Sequence, residues 1–109
     1  MTKLMIMLTA LLVFAASPRL AHAQSGDVSA GRHLAETVCS ACHDVNAISL
    51  PFSPKSGAPR FADISRMPST TELEIKVFLR TSHSHMPNII LSPAETDDVA
   101  AYIVDLARH

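Results

Sequence analysis

The last part of the chain carries the clearest pattern of apolar positions. Val99, Tyr102, Ile103 and Leu106 recur at i, i+3, i+4 and i+7, which places them on one face of a helix. Residues 92–95, Ser-Pro-Ala-Glu, combine an N-cap, a proline at the first helical position and a capping-box glutamate. The pattern therefore predicts an amphipathic helix that begins just after residue 92.

Two further helices are predicted earlier in the chain. The first runs over residues 28–38, with Asp27 or Ser29 as its N-cap. The second begins at residues 69–72, Ser-Thr-Thr-Glu, which match a capping box, and ends near Arg80. No stretch alternates apolar and polar residues strongly enough to predict a strand, so the expected fold class is all-α.

A long loop, residues 44–68, separates the first two predicted helices. It includes one short helical turn at residues 61–66 and is stiffened by four prolines. A loop of this length in so small a domain usually wraps around a ligand. The prolines are Pro51, Pro54, Pro59 and Pro68.

The amino-terminal segment has the pattern of a cleaved secretory signal peptide. Lys3 precedes an apolar run at residues 4–16, and small residues occupy the −1 and −3 positions before residue 24. The run is shorter than the ~20 residues that a membrane-spanning helix needs, which disfavours the alternative of an uncleaved anchor. We therefore expect a signal peptide at 1–23, a mature domain at 24–109, and a periplasmic protein with no membrane span after cleavage.

The composition limits what the mature domain can be. The chain has 109 residues and a formal net charge of −1, with no basic block, so we expect one domain and no nucleic-acid partner. A mature chain this short forms a thin hydrophobic core, and small exported domains usually need a disulfide, metal or bound group for stability. We expect such a domain to be monomeric.

Cys39, Cys42 and His43 form the sequence C-x-x-C-H, the attachment motif of a c-type haem. Two thiols one helical turn apart can each add across one haem vinyl group, and the adjacent histidine can direct its imidazole at the iron. Chance agreement with the motif is about one in a thousand for this composition. The motif predicts one haem c, covalently bound through both cysteines, with His43 as an iron ligand.

Three other uses of the two cysteines remain open at this point. A thioredoxin-like dithiol needs a βαβ context, which the sequence does not predict. A disulfide between residues three apart would constrain the chain very little. A zinc site lacks the usual paired ligand spacing, although histidines are available. Those histidines are His33, His43, His83 and His85.

Met86 is the favoured second axial ligand of the iron. A thioether ligand raises the reduction potential relative to two histidines, and Pro87 prevents a helix from continuing through the ligand. Met67 is also followed by proline and is a rival candidate. His83 or His85 would instead give a bis-histidine haem, and an open or weakly ligated iron is the remaining alternative.

Together these features resemble a class I cytochrome c in a compact bacterial form, over nearly the whole mature chain. In that family the first and last helices cross closely, with a glycine on the first and an aromatic residue on the last. Gly31 and Tyr102 match these positions, and a close crossing needs glycine because a Cβ would separate the backbones. The resemblance implies the small cytochrome c fold, with three main helices and a short helical turn around one covalently bound haem.

The sequence departs from that family in two respects. Ala35 stands where the family often carries an aromatic residue, and only Lys55 and Lys76 remain after signal cleavage, so the lysine-rich docking face is missing. The resemblance also implies a loop proline whose carbonyl accepts a hydrogen bond from the ring of His43. The candidates are Pro51, Pro54 and Pro59.

These observations predict a soluble periplasmic one-electron carrier, not an enzyme, with iron cycling between Fe(III) and Fe(II). Its partners would be redox proteins, such as a dehydrogenase, an oxidase or other cytochromes, which dock at a small apolar patch around the haem edge. Two alternatives remain, namely an electron-accepting subunit or dedicated partner of a periplasmic dehydrogenase, and a gas-binding haem sensor with a labile distal ligand.

Overall fold

The computed structural model describes residues 25–51, 56–82 and 85–109. These ranges contain helices and no strands, which confirms the all-α class. The predicted signal peptide, residues 1–23, lies outside the described residues. The α-helices are α1 (Val28–Thr37), α2 (Phe61–Ser65), α3 (Glu72–Arg80) and α4 (Pro93–Asp105). Short 3₁₀ turns follow α1 at Cys39–Ala41 and α4 at Leu106–Arg108.

Helices α1 and α4 make the largest contact between helices, and two glycines allow it. A Cβ on Gly31 would overlap the backbone carbonyl of Asp98, and one on Gly26 would overlap that of Asp97. The backbone N–H of Asp27 also donates a 2.7 Å hydrogen bond to Asp98 Oδ1. The close crossing predicted from Gly31 is therefore present, and Gly26 extends it by a second point of backbone contact.

The predicted apolar face of α4 is the centre of the core. Its members are buried, and they pack with Ala35, Val45 and Phe61. The helix begins as predicted, because Ser92 and Glu95 form a reciprocal capping box with proline in the first turn. The buried residues of the predicted face are Val99, Tyr102, Ile103 and Leu106.

Helix α3 begins two residues later than the capping-box pattern at 69–72 predicted. The box is formed by Thr71 and Glu74, each accepting a hydrogen bond from the other's backbone N–H. Ser69 cannot act as the N-cap because its φ is 88°, whereas an N-cap needs the extended conformation that Thr71 adopts at φ −126° and ψ 160°. The sequence correctly predicted a helix here, but the predicted N-cap position was wrong.

Several large apolar residues at the end of α1 and on α3 are exposed. Leu73 is 69% exposed, Val77 55% and Phe78 52%, and Val38 is also exposed. Helix α3 reaches the core through Ile75 and Leu79 instead. These two residues are four apart and share one face, so the remaining apolar residues of α3 point away from α4.

Candidate functional site

The two cysteines lie on one tight turn directly after α1. The backbone N–H groups of Cys42 and His43 donate to the carbonyl of Cys39 at 3.1 and 2.9 Å. Both cysteines are free thiols, with Cys42 exposed and Cys39 half-buried against the core. The turn thus presents two unpaired thiols, followed at once by an imidazole.

The imidazole of His43 is fixed by groups on the loop that leads into α2. His43 is 9% exposed, and its Nδ1 lies 2.7 Å from the carbonyl oxygen of Pro59. A carbonyl oxygen only accepts hydrogen bonds, so Nδ1 is the donor and Nε2 is the ring nitrogen that remains for another partner. The ring of Phe61 packs beside the imidazole at 5.1 Å between centroids. Among the candidate prolines, Pro59 is therefore the one that supports His43, while Pro54 lies outside the described residues.

A buried carboxylate follows His43 and was not identified from the sequence. The Asp44 side chain is 4% exposed, and its Oδ2 accepts hydrogen bonds from Ser49 Oγ at 2.7 Å and Arg60 Nε at 3.3 Å. The backbone N–H of Phe61 donates to the Asp44 carbonyl at 2.9 Å. The only sequence signal was an acidic residue beside a predicted ligand, and nothing local identified Arg60 as its partner.

The chemistry of the thiols disfavours the alternatives to haem attachment. Burial raises the pKa of the Cys39 thiol, whereas reactive dithiols have cysteines with a lowered pKa. The described residues also contain no group of three or more His, Cys, Asp or Glu side chains that could hold a metal ion. The site therefore presents two free thiols and one imidazole that is held by the Pro59 carbonyl.

The other candidate ligands lie on separate segments. Met86 is half-buried in the bend between α3 and α4, beside His85, which is exposed and adopts φ 73°. Met67 is 60% exposed in the turn after α2. His83 lies outside the described residues. The structure brings together the two cysteines and His43, and Met86 belongs to a different loop.

The donor set and its surroundings fit a covalently attached haem. An imidazole whose Nδ1 is engaged by a carbonyl leaves Nε2 available for iron, and the two free thiols suit two thioether bonds. Several large apolar side chains near the motif or on α3 are exposed, as expected for residues that cover a flat apolar macrocycle. They are Val38, Ile48, Leu50, Val77 and Phe78.

A small all-α domain with this motif on the turn after its first helix belongs to the monohaem cytochromes. The chain is a member of the cytochrome c family, whose sequence model matches residues 28–107. It is 34% identical over 95 residues to cytochrome c-552 of Bradyrhizobium diazoefficiens, covering 87% of this chain and 89% of that protein. No solved structure gives a significant match.

Membership of this family establishes the cofactor and the kind of function. The chain carries covalently attached haem c and is an electron-transfer protein that works with redox partners, not an enzyme. Within the described ranges, no helix has the length and hydropathy needed to cross a membrane. Lys76 is paired with Asp97 at 3.0 Å, and Lys55 lies outside the described residues.

Proposed function

We propose that the protein is a periplasmic one-electron carrier with His/Met axial ligation. Residues 1–23 act as a cleaved signal peptide, and residues 24–109 form the mature cytochrome domain. Cys39 and Cys42 hold haem c through two thioether bonds, and His43 and Met86 ligate its iron. When bound, haem c supplies one-electron chemistry between Fe(III) and Fe(II).

The position of His43 is the observation that carries this proposal. Its Nδ1 is engaged by the Pro59 carbonyl at 2.7 Å, so Nε2 is the nitrogen left for a metal. Two free thiols lie on the turn immediately before it. The imidazole is thus oriented by the protein before any ligand binds, and a fixed ligand lowers the structural change that accompanies electron transfer.

Met86 is favoured as the second ligand over Met67 because of its place in the chain. It lies half-buried in the segment that joins α3 to α4, whereas Met67 is 60% exposed beside the turn that precedes α3. A thioether favours Fe(II), so this ligand gives a higher potential than a bis-histidine haem would have. Pro87 and the residues after it separate the ligand from α4.

Attachment and export are tested together by a haem stain on a denaturing gel. The protein is expressed in cells that mature c-type cytochromes, and the periplasmic fraction is compared with the variant C39A/C42A. We expect a haem-staining band of mature size for the wild type and none for the variant. A mature-size band without haem, from cells that mature a control cytochrome, would contradict the proposal.

The axial ligand is tested by comparing M86A with the matched variant M67A. We expect M86A alone to lose the methionine–Fe(III) charge-transfer absorbance, to lower the reduction potential and to bind carbon monoxide readily when reduced. Carbon monoxide binding by the reduced wild type would instead favour the gas sensor, because tight methionine ligation resists it. An unchanged spectrum and potential in M86A would show that another residue ligates the iron.

A further inference from the structure

Two segments that are far apart in sequence are joined around His43. The His43 ring bonds the Pro59 carbonyl, the Asp44 carboxylate pairs with Arg60, and the Asp44 carbonyl accepts from the Phe61 N–H. Three consecutive residues, 59–61, therefore meet the last residue of the haem motif and the residue that follows it. Of these contacts, only the Asp44–Arg60 pair joins two charged side chains, and it lies directly beside the bond to His43.

The burial of Asp44 makes this pair a strong constraint on the loop. A carboxylate that is 4% exposed must be compensated by hydrogen bonds and an opposite charge, since its lost hydration is costly. Arg60 supplies the charge at 3.3 Å, and Ser49 supplies a hydroxyl at 2.7 Å. Without Arg60 the carboxylate would lose this opposite charge, and because Pro59 directly precedes Arg60, the ion pair also restrains the position of Pro59.

We propose that Asp44 and Arg60 are positioning residues, whose ion pair holds the Pro59 carbonyl against His43 Nδ1 and thereby lowers the reduction potential of the protein. The proposal rests on the proposed function, in which His43 ligates the iron. A short bond from Nδ1–H to a fixed carbonyl raises the basicity of the other ring nitrogen. A more basic imidazole stabilises Fe(III) relative to Fe(II), so loosening the carbonyl raises the potential.

The variant R60Q separates this positioning effect from the direct electrostatic effect of the charge on the reduction potential. Removal of a positive charge near the iron lowers the potential through space, because a cation stabilises the reduced state. Loss of the positioning contact has the opposite sign and raises it. D44N raises the potential under either explanation, so it cannot discriminate, and R60Q is the informative change.

The matched control is R66Q. Arg66 directly follows the short helix α2 and Arg60 directly precedes it, so R66Q removes a positive charge from the other end of that helix. The Nη1 of Arg66 donates a hydrogen bond to the carbonyl of Ala62 at 3.1 Å. At a fixed applied potential, we expect R60Q to raise the ratio of reduced to oxidised protein at least about threefold, which is about 28 mV at 59 mV per tenfold change. R66Q should leave this ratio unchanged or lower it, and R60K should restore it towards the wild-type value.

Coupling between the two residues gives a second test. If the pair acts as one unit, the potential of the double variant D44N/R60Q will match that of the more perturbed single variant. Should D44N fail to fold because the buried site is disrupted, R60Q and R60K still decide the question, since Arg60 is 35% exposed. A lowered or unchanged potential in R60Q would overturn the proposal.

Proton exchange at His43 provides a readout that does not depend on electron transfer. In the reduced holoprotein, we expect the Nδ1 proton of His43 to exchange with solvent at least about tenfold faster in R60Q than in R66Q. Equal exchange rates would contradict the positioning role. A wild-type protein without a reversible one-electron couple would instead refute the proposed function, which keeps the two failures distinguishable.

Discussion

Replacing Gly31 with alanine tests whether the contact between α1 and α4 holds the domain together. The added Cβ would overlap the carbonyl oxygen of Asp98 and would also lie 3.0 Å from Tyr102 Cβ. The overlapping group is backbone, so no side-chain rotation can relieve it. The two helices would have to move apart by about 1.5 Å to reach an ordinary contact distance.

Three contributions set the size of the expected effect. Overpacking against backbone costs about 3 kcal/mol, at the upper end of its usual range. Separation of the helices also weakens the 2.7 Å hydrogen bond from Asp27 N–H to Asp98 Oδ1, which is worth about 1 kcal/mol. The higher helix propensity of alanine relative to glycine offsets about 1 kcal/mol of this loss. We therefore expect a net loss of about 3 kcal/mol in the free energy of unfolding.

The measurement is guanidinium unfolding of the ferric holoprotein, followed by far-ultraviolet circular dichroism. H33A is the matched control, because His33 is exposed on the same helix. Alanine at this position raises the helix propensity without creating a clash. D98A added to G31A should not restore stability, since the overlap involves the Asp98 backbone. A G31A variant within 1 kcal/mol of the wild type, or rescue by D98A, would refute the reasoning.

The remaining predictions concern caps and buried polar groups. T71A should lower the free energy of unfolding by about 1 kcal/mol and S69A by much less, and equal losses in denaturant unfolding would contradict the observed cap. Y102F should cost about 1 kcal/mol, because it leaves a buried loop carbonyl without its 2.7 Å donor. Burial raises the pKa of Tyr102, so stability should fall as pH rises above about 10, and an identical alkaline profile in Y102F would refute this. Hydrogen bonds from Ser92 lower the pKa of Glu95, so the wild type should lose stability below about pH 4.5 more steeply than E95Q in acid titrations.

Helix α4 was the element that could be predicted most fully from the sequence. Its cap, its first-turn proline and its apolar face are all local patterns, and each one agrees with the others. The resemblance to class I cytochromes c added the α1–α4 crossing at Gly31. The haem-attachment motif on the turn after α1 could be predicted equally well, because the chemistry of attachment fixes the spacing of its cysteines.

The features missed from the sequence depend on contacts between distant residues. Asp44 and Arg60 are sixteen positions apart, and no periodicity links a residue after a turn to one before a short helix. The choice of Pro59 among three prolines depends on the same loop path. Which apolar residues of α3 face α4 was not apparent either, because Leu73, Val77 and Phe78 are as apolar as Ile75, and only the position of α4 distinguishes them.

The α1–α4 contact also has a consequence for the order in which the chain can close. Ribosomal synthesis proceeds from the amino terminus, so α1 and the two cysteines are made before the helix that α1 packs against. Cys39 is half-buried against a core built largely from α4, and this burial cannot arise until α4 has been made. In the proposed exported protein both thiols therefore stay open to the enzymes that attach haem until α4 packs on α1, and that packing half-buries Cys39 while Cys42 remains exposed.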